Sequence, residues 1–132
     1  MTNNVTSIRR RSVMVIDDEV LVRDTLRRAL EGAGIEVVEA ADGNEGLKAY
    51  LAKPTDVVVT DILMPEKEGI ETIIELKREH PNVKIVAISG GDRTGNTDFL
   101  EMAGLLGADR IMQKPFRPKE LLATIEDLFA AG

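Results

Sequence analysis

Val13-Met14-Val15-Ile16-Asp17-Asp18-Glu19 decides the fold: four consecutive apolar residues, three of them β-branched, run straight into three acids. A strand with one wet face alternates apolar with polar residues, whereas an unbroken apolar run is the pattern of a strand covered on both faces of a parallel sheet. Residues 36–40, 57–60, 84–89 and 110–113 give four more short runs, most of them rich in Val and Ile. Helical spacing fills the gaps between them. Val22, Leu26, Ala29 and Leu30 share one face, with Gly32 and Gly34 as stop signals. Leu47 and Leu51 mark a second, short helix closed by Pro54, and Ile70, Ile73, Ile74 and Lys77 a third that ends before Pro81. Phe99, Met102, Ala103 and Leu106 mark a fourth. Pro118 opens a fifth, where its missing N–H costs nothing, and Leu121, Leu122, Ile125 and Phe129 form its stripe. Five β-α units in series predict an α/β domain, a doubly wound, five-stranded parallel sheet with five helices on its two faces.

The 132 residues make one domain, expected over 12–132 behind a flexible tail at 1–11. Seventeen basic residues against 23 acidic ones leave a net charge of -6, which argues against direct nucleic-acid binding through a basic face. Without Cys there is no disulfide framework, thiolate metal site or Cys nucleophile, and one His excludes a multi-His zinc centre. No segment approaches the roughly 18 apolar residues of a membrane span, and the polar start lacks the apolar core of a secretory signal. A cytoplasmic protein with no membrane insertion is expected. Any chemistry must run on carboxylates, hydroxyls, Lys and Arg.

Ligands of open α/β sheets collect beyond the carboxyl ends of the strands. Strand one ends in Asp17-Asp18-Glu19, strand three in Asp61, strand four in Ser89-Gly90-Gly91 and strand five in Lys114-Pro115. Carboxylates so gathered repel unless a cation or Lys114 sits among them. Oxygen donors alone suit Mg²⁺ (or Mn²⁺), which couples to phosphate. A carboxylate left able to attack forms an aspartyl phosphate, and the charge on the transferring phosphoryl oxygens can be met by the metal, Lys114 and Ser89. Each piece has a plainer reading alone: an N-cap for Asp17-Asp18, a turn starter for Asp61, a loop residue for Ser89, a strand exit for Lys114. His80 beside Pro81 reads as a solvated loop residue. Four weak signals on four ends of one edge favour phosphoryl transfer.

Val15-Ile16-Asp17-Asp18-Glu19, Asp61-Ile62-Leu63-Met64-Pro65 with Gly69, Ser89-Gly90 and Lys114-Pro115-Phe116 together resemble the receiver domain of two-component response regulators, of the stand-alone, chemotaxis-regulator-like type. The resemblance implies the flavodoxin-like strand order 2-1-3-4-5. It implies Asp61 as phosphoacceptor, Asp17 and Asp18 with Asp61 and the Leu63 backbone carbonyl as metal ligands, Ser89 as the switch hydroxyl and Lys114 as the phosphoryl-binding amine. A cis Lys114–Pro115 bond is also implied. The partners would be a histidine kinase or histidine phosphotransfer protein and a downstream target protein. The chain would be a phosphoacceptor rather than a turnover enzyme, a monomer, or else a dimer through helix 4, strand 5 and helix 5.

The chain departs from the family at Ile111, where an aromatic switch residue is common. Activation is therefore expected to appear as ordering of the 90–97 loop and a shift of the fourth helix. Leu63 and Gly91 flank the path of an attacking water without side chains that could position it, which predicts a moderate to long phosphoryl lifetime. Asp-nucleophile phosphatases want an acid two residues after the nucleophile, where Leu63 stands, and flavin modules want a hydroxyl- and Gly-rich first loop rather than Asp17-Asp18-Glu19.

Overall fold

The computed structural model describes residues 11–62, 68–90 and 98–131. In chain order these form β1 (Ser12–Ile16), α1 (Val20–Gly32), β2 (Glu36–Ala40), α2 (Gly43–Ala52), β3 (Val57–Asp61), α3 (Glu68–Glu79), β4 (Lys84–Ser89), α4 (Asp98–Leu105), β5 (Arg110–Gln113) and α5 (Pro118–Ala131). All four strand pairings are parallel, in the order β2-β1-β3-β4-β5, as expected for the flavodoxin-like arrangement. Strand β1 begins one residue earlier than its apolar run, and β3 continues through Asp61, so the acid that ends it is itself part of the ladder, opposite Ile88.

Side chains alternate across a strand, and here the alternation divides two cores. Met14, Ile16, Val58, Ile85 and Ala87 point to one face, covered by Tyr50 of α2, Ile73 and Leu76 of α3 and Ala103 of α4. Val13, Val15, Val57, Val59, Val86 and Ile88 point to the other, covered by Leu26 and Leu30 of α1 and Leu121, Ile125 and Leu128 of α5. Burial on both faces therefore holds for β1, β3 and β4. It fails at the sheet edges: β2 is only partly covered, and Arg110, Ile111 and Gln113 of β5 are exposed because each edge strand has a neighbour on one side only.

The helical stripes differ from expectation in detail. Leu51 is 70% exposed; the buried face of α2 is Gly43, Gly46 and Tyr50, with Leu47 partly covered. On α3, Ile74 is exposed and the buried set is Gly69, Thr72, Ile73 and Leu76. Met102 is exposed on α4. In α5, Leu128 is buried while Leu122 and Phe129 are half-buried. Gly34, at φ +84, turns the chain from α1 into β2 in a conformation that L side chains rarely adopt. His80 is not a freely solvated loop residue: it is half-buried, with its ring centroid 4.8 Å from that of Tyr50. No helix among the described residues is long and apolar enough to cross a membrane.

Candidate functional site

Asp17 leaves the end of β1 at only 2% exposure, and four contacts fix it. Its N–H donates to the Ala40 carbonyl at the end of β2 (3.1 Å), and its Oδ1 accepts the Glu19 N–H (2.9 Å). Its Oδ2 lies 3.4 Å from Lys114 Nζ, and its carbonyl accepts from Arg23 Nη1 at 2.5 Å. The N-cap position of α1 is Glu19, which makes no side-chain capping bond. Asp17 is thus bent inward toward the strand ends rather than spent as a helix cap. One carboxylate oxygen from each of Asp17, Asp18 and Glu19 lies within 4.8 Å of the other two, with Asp18 and Glu19 exposed.

Asp61, 6% exposed, presents its Oδ2 to Lys114 Nζ at 3.1 Å. One ammonium therefore bridges the carboxylates ending β1 and β3. Lys114 follows β5, and its N–H donates to the Ser89 carbonyl at 2.8 Å, which ties the lysine to the end of β4. Ser89 is buried there, opposite Gln113. The Lys114–Pro115 peptide is cis. Gly69 makes room for the phosphoacceptor candidate: a Cβ at that position would lie 2.3 Å from both the Asp61 carbonyl oxygen and the Ile62 Cα. Beside Lys114 an apolar hollow of about 360 Å³ opens between α1 and α5, lined by Leu21, Val22, Leu26, Phe116 and Pro118.

Burial pushes the Asp17 carboxyl above its ordinary range, and the nearby Asp61 charge adds to this; the Glu19 N–H and Lys114 pull against it without prevailing. Burial also opposes the charge on Lys114, but Asp61 and Asp17 together outweigh it and hold the ammonium above its ordinary value. The site therefore has more negative charge than Lys114 makes comfortable. An all-oxygen donor set with that surplus fits a hard divalent cation.

Asp17, Asp61, Ser89 and Lys114 are thus brought together as expected, with Asp18 beside them on the rim. Ile111 is not part of this cluster; it sits on β5 at 45% exposure, beside Ala87. Leu63, Gly91 and most of the 90–97 loop lie outside the described residues, and with them the backbone-ligand, lifetime and loop-ordering expectations. Two neighbours escaped the choice of site residues. Glu19 joins the carboxylate group, and Arg23 grips the Asp17 carbonyl. Nothing in the sequence marks Arg23: its bond to Asp17 reaches back six residues, outside the i,i+4 spacing that pairs side chains on a helix.

The sequence profile of the response regulator receiver domain matches residues 13–126. The chain is 38% identical over 121 residues to the probable transcriptional regulator ycf27 of Cyanophora paradoxa, covering 92% of this chain and 49% of that protein. It spans about half the length of several curated relatives of this kind. It is 32% identical to the probable chemotaxis protein CheY of Rhizobium etli, over 90% of this chain and 92% of that protein. Among solved structures, the receiver domain of NtrX from Brucella abortus superposes with a TM-score of 0.84 at 30% identity, covering 91% of this chain and 99% of that one. CheY4 of Vibrio cholerae superposes with a TM-score of 0.80 at 26% identity, covering 91% and 99%. The profile takes in every strand, from Val13 in β1 to Glu126 in α5, and the superpositions reproduce the sheet those strands build: the chain belongs to the response regulator receiver domain family.

Proposed function

We propose that Asp61 accepts a phosphoryl group from a phosphohistidine on a histidine kinase or histidine phosphotransfer protein, and that the chain then acts through its own surface on a downstream target protein. The observation that carries this reading is the Lys114 ammonium held between Asp17 Oδ2 and Asp61 Oδ2 at the carboxyl edge of the sheet. An Asp61 oxygen forms the bond to phosphorus as the N–P bond breaks, and that electron pair leaves on the imidazole nitrogen. Lys114, already paired with Asp61, would pair with a phosphoryl oxygen, and the Ser89 hydroxyl at the next strand end would take another. Asp17 and Asp18, with Asp61 and the Leu63 carbonyl, would hold Mg²⁺ or Mn²⁺, which when bound would neutralise charge on the transferring group. Catalysis of this kind is positioning and electrostatics, so the chain is a stoichiometric acceptor and not a turnover enzyme. A signalling role is supported by the likeness to the probable chemotaxis protein CheY of Rhizobium etli over 90% of this chain.

Incubation with acetyl phosphate and Mg²⁺ should add one hydroxylamine-sensitive phosphoryl group per chain. The label should vanish with chelator and in Asp61→Asn. Labelling that persists in Asp61→Asn, or needs no divalent ion, would overturn the proposal.

A further inference from the structure

One residue holds both ends of the acidic turn. The backbone N–H of Arg23 donates to the Glu19 carbonyl (3.1 Å), and its guanidinium Nη1 donates to the Asp17 carbonyl (2.5 Å). The side chain is 14% exposed, and its Nε lies 3.4 Å from Glu39 Oε1 on β2. Glu39 is steadied in turn by Arg27, whose Nε lies 3.2 Å from its Oε2. A brace therefore runs from the edge strand through Arg23 to the three residues whose carboxylates converge. Mutual repulsion pushes those carboxylates apart; the Glu19 N–H bond to Asp17 Oδ1 resists it within the turn, but the Glu19 side chain makes no capping bond and adds nothing.

We propose that Arg23 is a positioning residue for the cation site: it holds the 17–19 turn in the curvature that keeps the Asp17 and Asp18 carboxylates side by side at the strand ends. The inference rests on the receiver reading of the site, and it makes a prediction opposite to that of simple electrostatics. As a nearby positive charge, Arg23 should repel a divalent cation, so removing it should tighten binding. As a brace, removing it should weaken binding, because the free site spreads and the ion must gather it again.

Mg²⁺ titrated into the full chain and followed by the amide shifts of Asp17 to Glu19 separates the two. Arg23→Gln is expected to weaken Mg²⁺ binding about ten-fold, with Arg23→Lys intermediate because one donor can still reach the Asp17 carbonyl. Phosphorylation from acetyl phosphate should recover in Arg23→Gln when Mg²⁺ is raised to saturation, which a general folding defect would not allow. Thermal melts without metal track stability independently, and Glu39→Gln, which leaves Arg23 in place, should weaken binding less. Affinity in Arg23→Gln equal to or tighter than wild type would overturn the role of Arg23 alone. A wild-type chain that binds no Mg²⁺ would overturn the receiver chemistry beneath it.

Discussion

Asp17 carries the clearest conflict between stability and function. Burial raises its carboxyl above the ordinary value of 3.8, so over the interval between the two values the folded chain binds more protons than the unfolded one. Stability without metal therefore falls as pH rises through that interval. Once ionised, Asp17 is a net cost to the fold, which a cation joining Lys114 at the site would offset. Asp17→Asn should keep the acceptor for the Glu19 N–H while removing that charge. It is expected to raise the stability of the metal-free protein by about 1 kcal/mol and to flatten its dependence on pH above the ordinary carboxyl value. Added Mg²⁺, which should raise the wild-type melting temperature, should have little effect on the variant. Melts across that pH range check all three outcomes, and a destabilised Asp17→Asn would show that the Lys114 contact outweighs the cost of burial. The acids themselves were readable because strand ends in this topology converge whatever the details. Arg23 was not, since its part depends on how one turn curves.

At the scale of the element, two glycines set how closely helices approach the strand ends that hold the site. Gly46 of α2 faces Ile16, and Gly69 of α3 faces Asp61 and Ile62. A Cβ on Gly46 would meet the Ile16 Cδ1 at 2.5 Å, the far end of a side chain rather than main chain. A Cβ on Gly69 would meet main-chain atoms at 2.3 Å, and those cannot yield without moving the end of β3. Gly46→Ala should therefore cost within about 1 kcal/mol, because the gain in helix propensity offsets mild overpacking. Gly69→Ala should cost about 3 kcal/mol and slow acetyl phosphate labelling by displacing Asp61. Urea denaturation and labelling of both variants test the ordering, and a Gly69→Ala as stable as wild type would refute the close approach. The same glycines explain where the helical stripes were misread. The inward faces run 43, 46, 47, 50 and 69, 72, 73, 76, one heptad pattern each, and both are completed by Gly, Thr or Tyr. Counting aliphatic residues alone selected Leu51 and Ile74, which point outward. Strand positions were legible because unbroken Val and Ile runs have few other uses, except at the edges, where apolarity does not imply cover.

At the scale of the molecule, the sheet is a common wall between two cores that, among the described residues, share no side chain. Strands β1, β3 and β4 each send alternate side chains to both, so neither core can loosen without exposing the back of the other. Unfolding should accordingly be a single transition even though the apolar clusters are separate. Tyr50, the only tyrosine of a chain without Trp, lies in the cluster under α2, α3 and α4, and its fluorescence reports that side alone. Far-UV circular dichroism reports every element. Ile73→Val and Ile125→Val truncate fully buried side chains on opposite faces, and each should cost about 1 kcal/mol, small enough to leave a stable double variant. With no shared partners the two costs should add within about 0.5 kcal/mol. Tyr50 fluorescence and circular dichroism should give one urea midpoint in every variant, including Ile125→Val, whose change lies across the sheet from the probe. Midpoints that separate in Ile125→Val would mean that the α1–α5 face unfolds by itself, and that the edge carrying Asp17, Asp61 and Lys114 is held by one face only.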